Sequence, residues 1–200
     1  MKSLAPLRAL NLVRDQDCRE WATAAHGVID NIENVVESVL GPTSSYISPS
    51  AKIHSSSIIG EHVYIGDNAE VGPHCYIKSY SILFPSVKVG FCVELDRCIL
   101  FEGTKCAHHA CIGRCIIGQE SNIAFGFVMA TGNIINRPIY YHVDSKQRIV
   151  SQRKHHGAAI GAYFRTGVNV SVMPGVTILS NVTIRPSSIV SGYVQAKHHH

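Results

Sequence analysis

From Ile47 to Leu95 an aliphatic residue returns at every sixth position: Ile47, Ile53, Ile59, Ile65, Val71, Ile77, Leu83, Val89 and Leu95. Neither an amphipathic helix nor a hairpin sheet repeats with that period. A second inward-facing position follows four places after each aliphatic, at Ala51, Ser57, Val63, Ala69, Cys75, Ser81, Val87 and Val93. Glycine often comes directly after the aliphatic, as in Ile59-Gly60, Ile65-Gly66, Val71-Gly72 and Val89-Gly90, where a tight corner benefits from a residue without a Cβ. Each hexad then reads as one short strand plus a turn, and stacking the hexads buries a continuous core, which is a parallel β-helix.

The hexads go on past Leu95 with two short steps. Leu100 comes five residues later, Cys106 and Ile112 follow at six, Ile117 at five, then Ile123 and Met129 at six. A five-residue step is a deletion at a corner. From Thr131 to His156 the repeat stops, and Pro138, Tyr140, Tyr141, Asp144, Lys146, Arg148, Arg153 and Lys154 form a long polar and aromatic excursion. Loops of that length in compact domains tend to carry function. The repeat resumes at Ile160 and runs through Thr166, Val172, Ile178, Ile184 and Val190. With three hexads per triangular turn, the blocks predict roughly six or seven turns.

The chain before the repeats has another rhythm. Between Asp17 and Leu40 the residues Trp21, Ala25, Val28, Ile29, Ile32, Val35, Val36 and Val39 fall at helical spacing, and Gly41-Pro42 supplies a stop. Such a helix is expected to lay its apolar stripe over the open N-terminal end of the coil, where core and unpaired backbone would otherwise meet water. The expected organisation is a helical cap or linker over 1–44, a β-helix domain over 45–194 with a loop at 131–157, and a tail at 195–200. The closing Lys197-His198-His199-His200 reads as an affinity-tag remnant.

Composition narrows the function classes. Hydrophobic residues at 46% suffice for a packed core, and charged residues at 16% suit strands that turn Ser, Thr and Asn outward. The net charge of +4 is small, and its carriers are scattered apart from Gln152-Arg153-Lys154-His155-His156, which argues against a nucleic-acid partner. No apolar run reaches the about 18 residues a membrane span needs, and Met1 to Arg14 lacks the apolar core of a leader, so a cytoplasmic protein is expected. Seven cysteines, six of them within the repeats, read as small buried hydrophobes rather than a disulfide framework. Cys106, His108, His109, Cys111 and Cys115 crowd together, but without paired metal-ligand spacing, so no metal site is assigned.

Several stretches carry a specific resemblance. Val89-Gly90-Phe91-Cys92-Val93-Glu94-Leu95, Gly103-Thr104-Lys105-Cys106-Ala107-His108 and Ile117-Gly118-Gln119-Glu120-Ser121-Asn122 resemble hexapeptide-repeat acyltransferases. The match is to the acetyltransferase half of bifunctional UDP-N-acetylglucosamine pyrophosphorylase/glucosamine-1-phosphate N-acetyltransferases. Arg153-Lys154-His155-His156-Gly157 and Thr166-Gly167-Val168-Asn169-Val170 are similar to its archaeal-type branch. The resemblance spans about Ile47 to Gly192, and the nucleotidyltransferase half has no counterpart.

What the resemblance implies is a left-handed parallel β-helix, a homotrimer with active sites between neighbouring coils, and N-acetylation of an amino sugar phosphate by acetyl-CoA in UDP-N-acetylglucosamine biosynthesis. The family's general base, in a Lys-x-x-His context, falls on His108, whose ordinary pKa suits proton abstraction from an attacking amine. Substrate contacts fall on Lys78, Glu94 and Asn122. Val168 and Pro186 lie where coenzyme A is expected, and Thr131 stands at the position of an acetyl-CoA-loop Asn. The excursion from Thr131 to His156 is expected to cover the cleft. Some positions depart from the pattern: a Lys has become Asp96 beside Arg97, a Tyr has become Cys111, and a phosphate-binding Lys has become His155. Asp96 near a phosphate would repel it unless Arg97 or Lys154 compensates. Two other classes remain open: a non-catalytic scaffold or partner of a nucleotidyltransferase, and a metal hydrase drawing on His62, His74, His108 or His109.

Overall fold

The computed structural model describes residues 4–11, 18–41 and 44–196; Asp17, Pro42 and the Lys197-to-His200 tail lie outside them. The hexads form a parallel β-solenoid of about 8 turns, which runs from the strand Tyr46–Ile47 to a last strand, Tyr193–Val194, beyond the counted hexads. Residues in register lie eighteen apart in the regular turns, as Tyr46 opposite Tyr64 and Ile65 opposite Leu83. Three hexads therefore close one triangular turn.

Most strands are two residues long: the first side chain points out, and the second points in. Ile65, Val71, Ile77, Leu83, Val89 and Leu95 are all buried within the coil, at a cost to expose each of roughly 1.5–3 kcal/mol. The corners share the period. His62, Asn68, His74, Tyr80, Ser86 and Cys92 adopt positive φ six residues apart, so the backbone turns left-handed once per hexad. None of these six is glycine, and stacking must hold a conformation that ordinary L-residues disfavour.

The outward residues distinguish the three faces. On the first they are Tyr46, Tyr64, Ile82, Ile99, Ile116, Ala159 and Thr177. On the second they are Lys52, Glu70, Lys88, Lys105, Asn122, Arg165 and Thr183. On the third, Ile58, Tyr76, Glu94, Cys111, Val128, Ser171 and Ile189 alternate in character.

The first face is the most uniformly apolar of the three, and helices cover it. Helices α1 (Ala5–Arg8), α2 (Cys18–Asp30) and α3 (Ile32–Leu40) precede the coil. Trp21, Ala25, Ile29, Ile32 and Val36 share one buried cluster with Tyr64, Ile82, Ile99 and Ile116. This corrects the expectation of an end cap: the helical segment breaks at Asn31 and lies along the side of the coil. Among the described residues the N-terminal end is left without a cover, with Ile47 45% exposed and Ile53 and Ile59 only partly buried.

The two five-residue steps become continuous strands, Glu94–Leu100 and Cys111–Ile117, which run around the corner between the third and first faces. Arg97 and Arg114 supply the positive φ there, one rung apart, and both reach Glu33 of α3, at 2.8 and 3.1 Å. The shortened corners thus form the notch into which α3 docks. Burial opposes ionisation of Glu33, but its own backbone amide, Arg114, Arg97 and Arg153 hold its carboxyl below the usual range.

The excursion leaves at the same corner. It contains an antiparallel hairpin, Tyr140–His142 with Arg148–Val150, and closes at its base through a Gly132–His155 bridge. Tyr141 and Val143 join the helix cluster, and the Tyr141 ring stacks on His26 of α2 at 4.5 Å. The hairpin therefore lies against the first face.

Candidate active site

The second face carries a shallow groove of ≈ 850 Å³ lined by Lys52, Glu70, Lys88, Lys105, Asn122 and His108 among others. Its floor follows from the hexads: Lys88, Lys105 and Asn122 are the outward residues of three successive rungs. His108 follows at the next corner. Lys88 is paired with Glu70 at 3.2 Å, and Lys105 forms no ion pair among the described residues.

Gly90 explains how His108 fits. A Cβ there would lie 1.6 Å from the carbonyl oxygen of Ala107 and 2.8 Å from Nδ1 of His108. The adjoining Phe91 amide donates to that Nδ1 at 3.0 Å. Gly90→Ala is therefore expected to destabilise the fold by about 3 kcal/mol, the upper end of overpacking effects, because the obstacle is backbone. Thermal melting of the variant checks this, and a change within about 0.5 kcal/mol would mean the rungs separate easily.

The contact from Phe91 also sets the tautomer. With Nδ1 accepting, a neutral His108 carries its proton on Nε2 and presents a donor to the groove. Proton abstraction through Nε2 requires the exposed ring to turn away from the Phe91 amide.

The other site residues fall into two groups. Phe125 follows His108 along one corner, and Val168 and Pro186 continue the column through the amide contacts of Gly126 with His108, Asn169 with Phe125, and Ser187 with Val168. His108, Asn122, Val168 and Pro186 thus share a side of the coil. Lys78, Glu94, Arg97, Thr131 and His155 do not: they lie on the third face or at the corner beyond it.

Lys78 donates to Glu94 at 2.5 Å, and this hydrogen bond raises the Lys78 pKa. Both side chains are more than a third exposed, so the pair contributes little to stability. Arg97 pairs with Glu33 at 2.8 Å and with Asp96 at 2.6 Å. The Thr131 carbonyl accepts the His156 amide at 2.8 Å and His155 pairs with Gly132, so both serve the base of the hairpin. That hairpin does not cover the His108 groove, contrary to expectation, since its outer strands pack toward α2.

One cluster escaped the reading of the sequence. His156 Nδ1 lies 2.9 Å from Asp30 Oδ1, its Nε2 lies 2.7 Å from His26 Nδ1, and His26 Nε2 lies 2.8 Å from Thr177 Oγ1. His26, Asp30, His156 and Thr177 are buried. The available signal was polar His26 and Asp30, one helical turn apart, on the same side of the helix as Ala22 and Ile29. Among the described residues no group of three or more His, Cys, Asp or Glu side chains could hold a metal ion, and no helix is long and apolar enough to cross a membrane.

Comparison with known proteins gives two family matches. Residues 44–79 match the bacterial transferase hexapeptide family (six repeats), and residues 67–138 match the GMPPB C-terminal domain. A bifunctional sugar-1-phosphate nucleotidylyltransferase/acetyltransferase of Sulfurisphaera tokodaii is 33% identical over 175 residues, which is 88% of this chain and 43% of that protein. The bifunctional protein GlmU of Methanocaldococcus jannaschii is 32% identical over 125 residues, 62% of this chain and 30% of that protein. The chain spans less than half the length of these curated relatives. Among solved structures, the polysialic acid O-acetyltransferase OatWY aligns with a TM-score of 0.49 at 20% identity, covering 72% of this chain and 75% of that one.

Proposed function

This chain is a hexapeptide-repeat protein with the left-handed β-helix architecture of that class, and from that premise we propose that it is an acyltransferase. In this reading an acetyl group passes from acetyl-CoA to the amine of an amino sugar phosphate. The observation that carries the proposal is the groove in which His108, Asn122 and Lys105 meet.

The chemistry assigns a role to each. Lys105 offers a cation to the acceptor's phosphate, and Asn122 offers both a donor and an acceptor to sugar hydroxyls. His108, once its ring has turned from the Phe91 amide, takes the proton released as the amine attacks the thioester carbonyl. The thiolate of coenzyme A then leaves. Coenzyme A is placed along the corner column of Val168 and Pro186. Lys78 and Glu94, on another face of the same chain, reach such a groove only from a second copy, in keeping with a homotrimer. With the six cysteines of the repeats outside any disulfide, the proposed setting is the reducing cytoplasm.

A second reading is a non-catalytic scaffold, which the occupied Nδ1 of His108 and the closed Lys78–Glu94 pair favour. Thiol release from acetyl-CoA in the presence of glucosamine 1-phosphate and other amino sugars separates the two. Acceptor-dependent release supports the transferase; none with any amino sugar leaves the scaffold.

A further inference from the structure

Turns are ordinarily built of polar residues, yet the first turn of the excursion carries two isoleucines at its apex. Asn133 builds that turn: its side-chain oxygen accepts the Ile135 amide at 3.1 Å and its carbonyl accepts the Asn136 amide at 3.0 Å. Asn136 then bends the chain back with a positive φ of 49°. Ile134 and Ile135 are left 94% and 64% exposed. Two consecutive large apolar side chains held this far into solvent differ from the single exposed aliphatics that any surface carries.

Cations stand on both sides of this tip. One flank is a cleft of ≈ 310 Å³ where Ile134 meets Tyr140 and Arg148, whose guanidinium lies 4.6 Å over the tyrosine ring. The other is a cleft of ≈ 350 Å³ in which Arg137, from the same turn, meets Arg153 and Lys154. Neither has a carboxylate in its lining. Arg153 is held from behind by the Asp30 carbonyl, 2.7 Å from its Nε, and by Glu33, whereas Arg137, Lys146, Arg148 and Lys154 form no ion pair among the described residues. Over residues 131–157 these five cations face one acid, Asp144, so the whole net charge of +4 resides in the excursion and the rest of the chain balances.

We propose that the excursion docks the protein on an anionic phospholipid bilayer. Ile134 and Ile135 enter the boundary between headgroups and acyl chains, Tyr140 lies at headgroup level, and Arg137, Arg148 and Lys154 pair with lipid phosphates. Apolar insertion and attraction of cations to an anionic surface add in such a contact. A second copy docking through the same patch would set two excursions of like charge together, and the balanced remainder of the chain has no excess of acid to receive one. A bilayer supplies that charge. The clefts share no lining residue with the His108 groove, so docking leaves the groove open to water, and docking and transfer stand or fall separately.

Co-sedimentation of the whole chain with vesicles tests the proposal, one set of phosphatidylcholine alone and one of equal parts phosphatidylcholine and phosphatidylglycerol. Binding to the mixed vesicles is expected, about tenfold or more weaker to the neutral ones, and falling as salt rises. Arg137→Ala/Lys154→Ala should weaken it about tenfold or more, at about fivefold per cation. Ile134→Ser/Ile135→Ser keeps every cation and should also weaken it about tenfold or more, because the inserted apolar surface is lost. Failure to bind mixed vesicles, equal binding to both kinds, or wild-type binding by the isoleucine variant would overturn the proposal, the last by reducing the contact to charge alone. So would a smaller assembly of the isoleucine variant in sedimentation without vesicles, which would assign the tip to an interface between copies. All four substituted side chains are exposed, so an unchanged melting temperature excludes misfolding as the cause.

Discussion

Replacing His108 by alanine is expected to lower acceptor-dependent acetyl transfer by about 10²-fold or more, the usual size of a general-base contribution. The amine nucleophile must lose a proton during attack, and of the groove's two histidines, His54 and His108, it is His108 that stands beside Lys105 and Asn122. His108→Gln refines the test. Gln keeps a hydrogen-bond donor and has no basic nitrogen, so a base predicts equal losses in both variants. A Gln variant that retains most of the activity would instead assign His108 the role of donor to the thioester oxygen, consistent with the tautomer set by the Phe91 amide. Wild-type-like turnover in His108→Ala would remove the residue from the chemistry.

The second large effect is expected at the junction of α2 and the hairpin. Thr177 Oγ1 donates to the His142 carbonyl, so its oxygen is left to accept from His26 Nε2. His26, neutral, then accepts at Nδ1 from His156 Nε2, and His156 Nδ1 donates to Asp30. Asp30 Oδ1 thus accepts from His156, and Ser151 donates a further bond to the same carboxylate at 2.5 Å. Asp30→Ala leaves the His156 and Ser151 donors buried without their acceptor, and a loss of about 3 kcal/mol is expected by chemical denaturation. A loss under about 1 kcal/mol would mean that the helix is held by its apolar contacts alone.

The same junction sets a pH dependence. Burial, with the charge of His156 second, holds the His26 imidazole well below its ordinary value, while Asp30 pulls the other way and His142 adds to the lowering. Burial also opposes ionisation of Asp30, but hydrogen bonds from His156, Ser151 and the Gln152 amide keep its carboxyl below the usual range. Tyr141, stacked on both histidines, adds no charge. In both His26 and Asp30 the unfolded chain binds more protons than the folded one, so stability falls as pH drops: first below about 6.5 through His26, then below about 4 through Asp30. Melting temperature should fall between about pH 7.5 and pH 5.5, and less so in His26→Gln. A flat profile over that range would show that the histidine pair does not titrate with unfolding.

The coil was legible because one side chain in six is forced inward, whatever the others do. Which face each residue occupies was also countable, and this is where the sequence reading fell short. From Ile77 to Cys106 there are five steps, through Leu83, Val89, Leu95 and Leu100, so Lys78 and His108 belong to different faces. From Cys106 to Ile123 there are three, which brings Asn122 back beside Lys105. The residue before each aliphatic held the remaining information: Tyr64, Ile82, Ile99 and Ile116 mark a face that must be covered, while Lys52, Glu70, Lys88 and Lys105 mark one that faces water. The course of the hairpin was not legible in the same way. Its position depends on stacking of Tyr141 with His26 and on the buried proton chain, contacts between segments more than a hundred residues apart that no local period announces.

The two shortened corners sit one directly upon the other, and that adjacency constrains how such a chain can vary. An extra residue added at Arg97 alone would set a full-length corner against a short one, leaving a ledge of backbone amides and carbonyls without partners. It would also carry the guanidinium away from Glu33. Adding one residue at each of Arg97 and Arg114 would keep the layers flush but abolish the recess that seats α3. A single insertion here is therefore expected to disturb the coil, and a matched pair to disturb the seat of the helix.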